Sequence, residues 1–171
     1  MEFMNFYLKE DEKIELYVDM DGVITDFEKG YEDLTGNPCK GVEEKYGWEH
    51  FWKPINEVGY EWWANLPWMS DGKELWNYIK QYSPTILTAP SKGEDCPKGK
   101  KIWVKREIGD VPIIIEKHKY KYSGKNKILI DDTKQKIIDW VDAGGIGILH
   151  KSAEDTIKRL EEILHNERTE R

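Results

Sequence analysis

The feature that most constrains the fold is a set of short, continuous apolar runs that recur along the chain. They lie at residues 16–18, 85–87, 113–115, 128–130 and 146–149. Because the apolar residues in each run are consecutive rather than alternating, the runs suit strands that are buried on both faces, as in a parallel sheet. The sequence therefore predicts five buried, parallel strands.

Segments with helical periodicity separate these runs. Residues 71–82, 100–109 and 133–145 carry apolar side chains at the spacing of an amphipathic helix, and the last segment ends at two glycines. The tail from Ser152 has the pattern of a capped terminal helix with one apolar face. The alternation of strands and helices predicts an α/β fold in which helices flank a five-stranded parallel sheet.

Residues 29–72 interrupt this alternation. The segment is rich in aromatic residues, glycine and charge, and it contains no clear strand. Five of the eight tryptophans fall there, at Trp48, Trp52, Trp62, Trp63 and Trp68. We predict that residues 29–72 are an insertion, a small and mainly helical cap over the mouth of the sheet, and that residues 1–28 and 73–171 form the core. The alternative is an ordinary pair of helices packed on one edge.

Composition narrows the range of functions. A chain of 171 residues has the size of one domain, with or without a small insert. The net charge of -7 disfavours binding to an extended nucleic acid, although one local basic pocket could serve a small phosphorylated substrate. Cys39 and Cys96 form neither a disulfide framework nor a metal-ligand spacing. With no signal peptide and no long apolar stretch, a soluble cytoplasmic protein without membrane contact is the default expectation. The oligomeric state stays open, with a homodimer as one option.

Polar residues follow several of the predicted strands. Asp19 and Asp21 follow the first strand, Thr88 the second, and Asp131 and Asp132 the fourth. Lysines follow the second and third strands, at Lys92, Lys98, Lys100, Lys117, Lys119 and Lys121. Because ligands of parallel α/β sheets bind beyond the carboxyl ends of the strands, we expect these groups to converge. Four carboxylates at one place are costly unless a cation neutralises them, and a set of oxygen ligands favours Mg²⁺.

The same groups could carry phosphoryl transfer. One aspartate of the first pair can attack phosphorus and form an aspartyl-phosphate, and the aspartate two residues on can protonate the leaving oxygen and later activate water. Thr88 and a lysine can donate hydrogen bonds to the phosphoryl oxygens. Each feature alone has a simpler explanation, since Asp and Gly favour turns and acidic residues often cap helices. Their order along the chain is what favours a catalytic site.

The segments DMDGVITDF, ILTAP and ILIDD resemble the first, second and fourth motifs of the haloacid dehalogenase-like phosphatases. Within that superfamily the chain most resembles the 5'(3')-deoxyribonucleotidases, through DMDGV, LTAP followed by CPKGKKIWV, and ILIDDT. The resemblance covers most of the chain outside the aromatic insertion. It implies a Rossmann-like core with a small cap, and a Mg²⁺-dependent phosphomonoesterase that acts on nucleoside monophosphates.

The resemblance also implies roles for the aspartates. Asp19 corresponds to the nucleophile and Asp21 to the general acid and base. Mg²⁺ would be bound by the Asp19 carboxylate, the main-chain carbonyl of Asp21 and Asp132, with Asp131 in support.

Further residues take roles by the same resemblance. Thr88 corresponds to the phosphate-binding hydroxyl and Lys100 to one active-site lysine. Lys119 fits the second active-site lysine, with Lys121 as an alternative because the loop before ILIDD is longer than in the family. Ala89 lies where some relatives carry serine, which removes one hydroxyl from the phosphate-binding shell.

The cap of these nucleotidases supplies aromatic rings that hold the base, and Phe27 corresponds to one of them. Trp52, Trp62 or Trp63 could supply others, since stacking on a base is worth about 1–3 kcal/mol by alanine substitution. Alternatively, most of these rings form the core of the cap. Three other functions stay open: a 3'-phosphatase of nucleic-acid ends, a sugar-phosphate phosphatase, and a nucleotide-binding protein without catalysis.

Overall fold

The computed structural model describes the backbone of residues 14–91 and 94–169, and side chains as far as residue 165. The first thirteen residues, which the sequence assigns to the core, lie outside the described residues. The five strands are β1 (Glu15–Val18), β2 (Thr85–Thr88), β3 (Ile113–Ile115), β4 (Lys127–Asp131) and β5 (Ile146–Leu149). All neighbouring strands pair in parallel, in the order β3-β2-β1-β4-β5. The prediction of a five-stranded parallel sheet is therefore confirmed.

The sheet is buried on both faces. Leu16 and Val18 of β1 belong to a large apolar core on one side, whereas Tyr17 points to the other side. There the Tyr17 ring lies 5.3 Å from the ring of Trp140, centroid to centroid. Because successive side chains of a strand face opposite sides, a continuous apolar run is what a sheet covered by helices on both faces requires.

Helices connect and cover the strands in the described part of the chain. They are α1 (Phe27–Thr35), α2 (Val42–Tyr46), α3 (Trp48–Val58), α4 (Tyr60–Ala64), α5 (Gly72–Ile79), α6 (Asp95–Glu107), α7 (Lys134–Asp142) and α8 (Ala153–Thr169), with 3₁₀ turns at Lys80–Tyr82 and Lys119–Tyr122. Among the helices described, we find none with both the length and the apolar character that a membrane crossing needs.

Helices α1 to α4 occupy most of the segment that the sequence predicts to be a helical insertion. Its two ends lie side by side, because the Asp26 amide donates to the Pro67 carbonyl (2.8 Å) and the Met69 amide donates to the Ile24 carbonyl (2.8 Å). The chain thus leaves the core shortly after β1 and returns next to its point of departure. This places the helical segment beside the carboxyl end of β1.

The strand order determines which loops meet. β1 lies between β2 and β4, so the carboxyl ends of these three strands are adjacent. Ligands of such sheets bind at this edge, where neighbouring connections leave in different directions.

Candidate active site

Asp19, Thr88 and Asp131 lie at the carboxyl ends of the three central strands, and all three side chains are buried. Asp19 continues the pairing of β1 with β4, because its amide donates to the Ile130 carbonyl at 2.9 Å. The adjacency that the sequence predicts for these residues is therefore present. Each polar group is positioned by a buried strand, which holds it more rigidly than a surface loop would.

A tight turn after Asp19 positions Asp21. The Met20 carbonyl accepts hydrogen bonds from the amides of Val23, Ile24 and Thr25. Gly22 in this turn has a φ of +80°, which side chains rarely tolerate. A Cβ at Gly22 would lie 2.2 Å from Asp132 Oδ2. Glycine is therefore required both for the turn and for the close approach of Asp132.

Three carboxylates form a group that could hold a metal ion. One oxygen from each of Asp19, Asp131 and Asp132 lies within 4.8 Å of the others. The Thr133 amide fixes the orientation of Asp131 by donating to its Oδ1 at 2.9 Å. Oxygen ligands of this kind suit a hard cation such as Mg²⁺. The residues present thus fit the ion that the sequence predicts.

Lys119 reaches this group from the interior of the protein. Its Nζ lies 2.8 Å from Asp19 Oδ1 and 2.6 Å from Asp131 Oδ2, and its side chain is almost completely buried. The 3₁₀ turn that follows β3 carries Lys119 into the site, whereas Lys121 of the same turn points to the surface and pairs with Glu116 at 3.1 Å. Of the two lysines that the sequence leaves open, the structure brings Lys119 to the aspartates.

Lys100 organises the other side of the site. Its buried Nζ donates to Asp21 Oδ2 (2.7 Å), Thr88 Oγ1 (2.7 Å) and the Ala89 carbonyl (2.9 Å). Three hydrogen bonds use all the donors of an ammonium group. Because the Thr88 hydroxyl accepts from Lys100, its own hydrogen is free to donate to another group. The other oxygen of Asp21, Oδ1, accepts from Thr25 Oγ1 at 2.9 Å.

Lys136 is a residue that the sequence analysis missed. It lies in the first turn of α7, and its Nζ is 3.4 Å from Asp19 Oδ2 and 3.8 Å from Asp131 Oδ2. A lysine in an amphipathic helix usually faces solvent, so nothing in the local pattern marks it. Its closeness in sequence to Asp132, four residues earlier, is a weak signal, because it places Lys136 near the start of the helix that follows β4.

The lysines and the burial of the site determine its protonation. Burial alone would raise the pKa of Asp19, but the charges of Lys119, Lys136 and Lys100 outweigh burial and lower its pKa to about 2. Burial and the neighbouring charge of Asp19 raise the pKa of Asp131 to about 6. The same two causes raise the pKa of Asp132. Asp19 is therefore ionised at neutral pH, as a carboxylate nucleophile must be.

An open pocket of about 540 Å³ lies over these groups. It is lined by Asp19, Asp21, Gly22, Asp26, Phe27, Glu28, Cys39, Met69, Thr88, Ala89, Asp132, Thr133 and Lys136. The floor carries the polar groups, while Phe27, Cys39 and Met69 form an apolar part of the wall. A pocket of this size and composition suits a small molecule with one polar end.

The aromatic residues of the helical segment are mostly internal. Trp62 and Trp63 are buried, and the ring of Phe27 packs edge-on against Trp62 at 5.1 Å, centroid to centroid. Trp52 is half-buried and stacks at 6.3 Å on Trp63. Among the described residues, Phe27 lines the pocket and the three tryptophans lie behind it. Their placement agrees with the alternative that they form the core of the cap.

The other predicted positions are placed as follows. Ala89 is half-buried, lines the pocket and offers its carbonyl to Lys100. Lys98 is exposed and lies over the Tyr60 ring, 3.4 Å from the centroid, and Lys117 is exposed. Lys92 lies outside the described residues.

Comparison with known proteins agrees with this architecture. The structure resembles a haloacid dehalogenase-like family hydrolase from Xanthomonas campestris, with a TM-score of 0.59, 10% identity, and coverage of 93% of this chain and 95% of that one. It also resembles a hydrolase from Streptococcus pneumoniae, with a TM-score of 0.52, 14% identity, and coverage of 90% and 99%. No protein-family model and no curated protein matches the sequence. At 10% and 14% identity, the likeness shows that this chain shares the fold of these two proteins.

Proposed function

We propose that this protein is a Mg²⁺-dependent phosphomonoesterase that uses Asp19 as its nucleophile. The observation that carries the proposal is the environment of Asp19. Its carboxylate lies at the end of the central strand, beside Asp131, Asp132 and three lysines, at the floor of a pocket. A carboxylate held ionised among positive charges is suited to attack an electrophilic phosphorus.

Asp19, Asp131 and Asp132 would hold the Mg²⁺, and the carbonyl of Asp21 is expected to contribute by the resemblance described above. A bound Mg²⁺ neutralises charge on a phosphoryl group and helps to orient it. The cation would also relieve the repulsion among the three carboxylates, which adds to burial in raising the pKa of Asp131 and Asp132.

Other residues around Asp19 would bind the phosphoryl group and transfer protons. Thr88 is positioned to donate its hydroxyl hydrogen to a phosphoryl oxygen, because Lys100 occupies one lone pair of Thr88 Oγ1. Asp21 would protonate the leaving oxygen as Asp19 forms the bond to phosphorus, and would then take a proton from the water that hydrolyses the aspartyl-phosphate. Lys100 and Thr25 hold both oxygens of Asp21 in place for these transfers.

Nucleoside monophosphates are the substrate class that we propose. The resemblance of the motifs to those of the 5'(3')-deoxyribonucleotidases supports this class, and Phe27 supplies an aromatic surface in the pocket wall. Asp26 and Glu28 add negative charge to the lining of the pocket. This negative charge disfavours substrates that carry phosphate groups in addition to the one that is released.

The test is release of inorganic phosphate from a panel of 5'- and 3'-mononucleotides, sugar phosphates and a 3'-phosphorylated oligonucleotide. Assays with Mg²⁺ are compared with assays in a chelator. We expect Mg²⁺-dependent turnover that is fastest with mononucleotides. Faster turnover of the oligonucleotide or of sugar phosphates would show that nucleoside monophosphates are not the preferred substrate class. Nucleotide binding without phosphate release would refute the enzymatic function.

Phe27→Leu tests the role of the pocket wall with the mononucleotides of this panel and, in addition, with glycerol phosphate. We expect a higher KM for mononucleotides and an unchanged KM for glycerol phosphate, which has no base. Tyr120→Leu is the matched control, since Tyr120 is an exposed aromatic residue outside the pocket lining. Equal KM changes for both substrates would show that Phe27 does not contact the base.

A further inference from the structure

The position of Lys136 relative to the carboxylates suggests a role that the resemblance does not supply. Its Nζ lies 3.4 Å from Asp19 Oδ2 and 3.8 Å from Asp131 Oδ2. Its side chain is 29% exposed, and it forms part of the pocket lining. Lys136 therefore approaches the aspartates from the side on which a ligand enters.

Lys119 and Lys136 contact different oxygens of the nucleophile. Lys119 pairs with Asp19 Oδ1 from the interior, where its side chain is 1% exposed. Lys136 pairs with Asp19 Oδ2 from the pocket. The interior lysine is a permanent part of the buried framework, whereas the pocket lysine has space to move. A cation that binds Asp19 Oδ2 has to share that oxygen with Lys136 or displace it. Asp131 Oδ2 is different, because Lys119 also holds it at 2.6 Å.

The net charge of the site also favours an exchange of Lys136 between the carboxylates and an anionic ligand. The site contains four carboxylates and three ammonium groups, which have a net charge of −1 when all are ionised. They belong to Asp19, Asp21, Asp131 and Asp132, and to Lys100, Lys119 and Lys136. A divalent cation changes this value to +1, which favours the arrival of an anion. An ammonium group released from the carboxylates would find its best partner in the oxygens of that anion.

We propose that Lys136 competes with the divalent cation for Asp19 Oδ2, and that the displaced ammonium group then binds the phosphoryl oxygens of the substrate. This proposal rests on the metal site of the proposed function. Lys136 thereby weakens cation binding to the site alone and strengthens it when a phosphate is present. The two ligands bind cooperatively because one side chain exchanges between them.

The test is calorimetric titration of the full-length protein with Mg²⁺, with and without inorganic phosphate. Lys136→Met removes the competing charge while keeping a helix-compatible side chain of similar length. Lys134→Met is the matched control, since Lys134 is an exposed lysine in the same helical turn. Circular dichroism confirms that both variants are folded, and Lys136→Arg restores the positive charge.

We expect Lys136→Met to bind Mg²⁺ about tenfold more tightly than the wild type when phosphate is absent. Lys134→Met and Lys136→Arg should bind Mg²⁺ like the wild type. Phosphate should increase the Mg²⁺ affinity of the wild type by more than it increases that of Lys136→Met. If Lys136→Met binds Mg²⁺ no more tightly than the wild type, the proposal is overturned.

Phosphate release by the wild type separates this proposal from the proposed function. A wild type that hydrolyses mononucleotides with Mg²⁺, combined with unchanged Mg²⁺ affinity in Lys136→Met, retains the function and rejects the role of Lys136. Tighter Mg²⁺ binding by Lys136→Met supports that role even if the wild type hydrolyses no member of the panel, a result that would reject the function.

Discussion

Lys119 Nζ lies 2.8 Å from Asp19 Oδ1, and both side chains are at least 96% buried. The two residues are a hundred positions apart, one after the central strand and the other in a 3₁₀ turn that follows the edge strand β3. Asp131 shares the same ammonium group at 2.6 Å. A charged cluster of this kind is stable because every member has a partner of opposite charge.

Lys119→Met should therefore reduce the free energy of unfolding strongly, by about 3 kcal/mol, because it leaves two carboxylates buried without this partner. Urea unfolding followed by circular dichroism measures the loss. Lys121→Met is the matched control, since Lys121 pairs with Glu116 at the surface and its loss should have little effect. Equal stability of the two variants would contradict the assigned location of Lys119.

Gly22→Ala should abolish activity by moving Asp132. A Cβ at position 22 would lie 2.2 Å from Asp132 Oδ2, whereas a Cβ at Gly36 would meet nothing within 4 Å. Both glycines have positive φ, so both substitutions should cost about 1–2 kcal/mol of stability through the backbone. The value of kcat/KM should fall in Gly22→Ala and stay near wild type in Gly36→Ala. Full activity of Gly22→Ala would show that Asp132 need not occupy its observed position.

The contribution of His150 to the stability of the protein should decrease as the pH falls below 6.5. The side chain of His150 is buried, and its Nδ1 atom lies 2.8 Å from Thr156 Oγ1. Burial lowers its pKa below the ordinary value of 6.5, although the charges of Asp71, Asp132 and Asp155 partly oppose the shift. Below pH 6.5 the unfolded chain binds a proton at this position more readily than the folded protein does. Its contribution to stability is thus complete above pH 6.5 and is lost as the pH falls towards the lower folded value.

Urea unfolding at pH 7.5 and pH 5.5 checks this prediction. As the pH falls over this interval, the raised pKa of Asp131 adds stability in the wild type and in His150→Asn alike. The change in the free energy of unfolding from pH 7.5 to pH 5.5 should therefore be less favourable in the wild type than in His150→Asn, which retains a polar group near Thr156 but does not titrate there. His118→Asn, a change at an exposed histidine, serves as the control and should show the same change between the two pH values as the wild type. The same change in His150→Asn would rule out a contribution from His150.

The sequence was sufficient to predict the sheet and the convergence of the aspartates. Consecutive apolar residues show that a strand is covered on both faces, and parallel strands bring their carboxyl ends to one edge. Asp19, Thr88 and Asp131 each end such a run, so their proximity follows from the topology. No comparable rule applies to Lys136, whose role depends on the angle at which α7 leaves β4.

Helix α6 shows a second limit of sequence reasoning. Apolar periodicity predicts a helix over residues 100–109, whereas the helix begins at Asp95 and ends at Glu107. Pro97 is tolerated in its first turn. Gly99 is required because α4 packs so closely that a Cβ there would lie 2.3 Å from the Tyr60 carbonyl oxygen. This contact joins distant parts of the chain, and local periodicity carries no information about it.

The tryptophans show a third limit. Their clustering predicts an aromatic cap, but it does not determine which rings face a ligand. Phe27 lines the pocket because α1 begins there, directly after the Asp26 cap, whereas Trp62 donates its indole N–H to the Gly30 carbonyl at 3.2 Å inside the helical segment. Such choices depend on the packing of four short helices, whose relative orientation the sequence pattern leaves open.

The most direct test of Asp19 as the nucleophile is the rate of phosphate release by Asp19→Asn. This rate is measured beside that of the wild type, with Mg²⁺ and the best substrate of the panel. Asparagine has nearly the same shape but lacks the negative charge that attacks phosphorus. We expect a folded variant whose kcat is lower by at least about 10³-fold. A folded Asp19→Asn variant that releases phosphate at the wild-type rate would show that Asp19 is not the nucleophile.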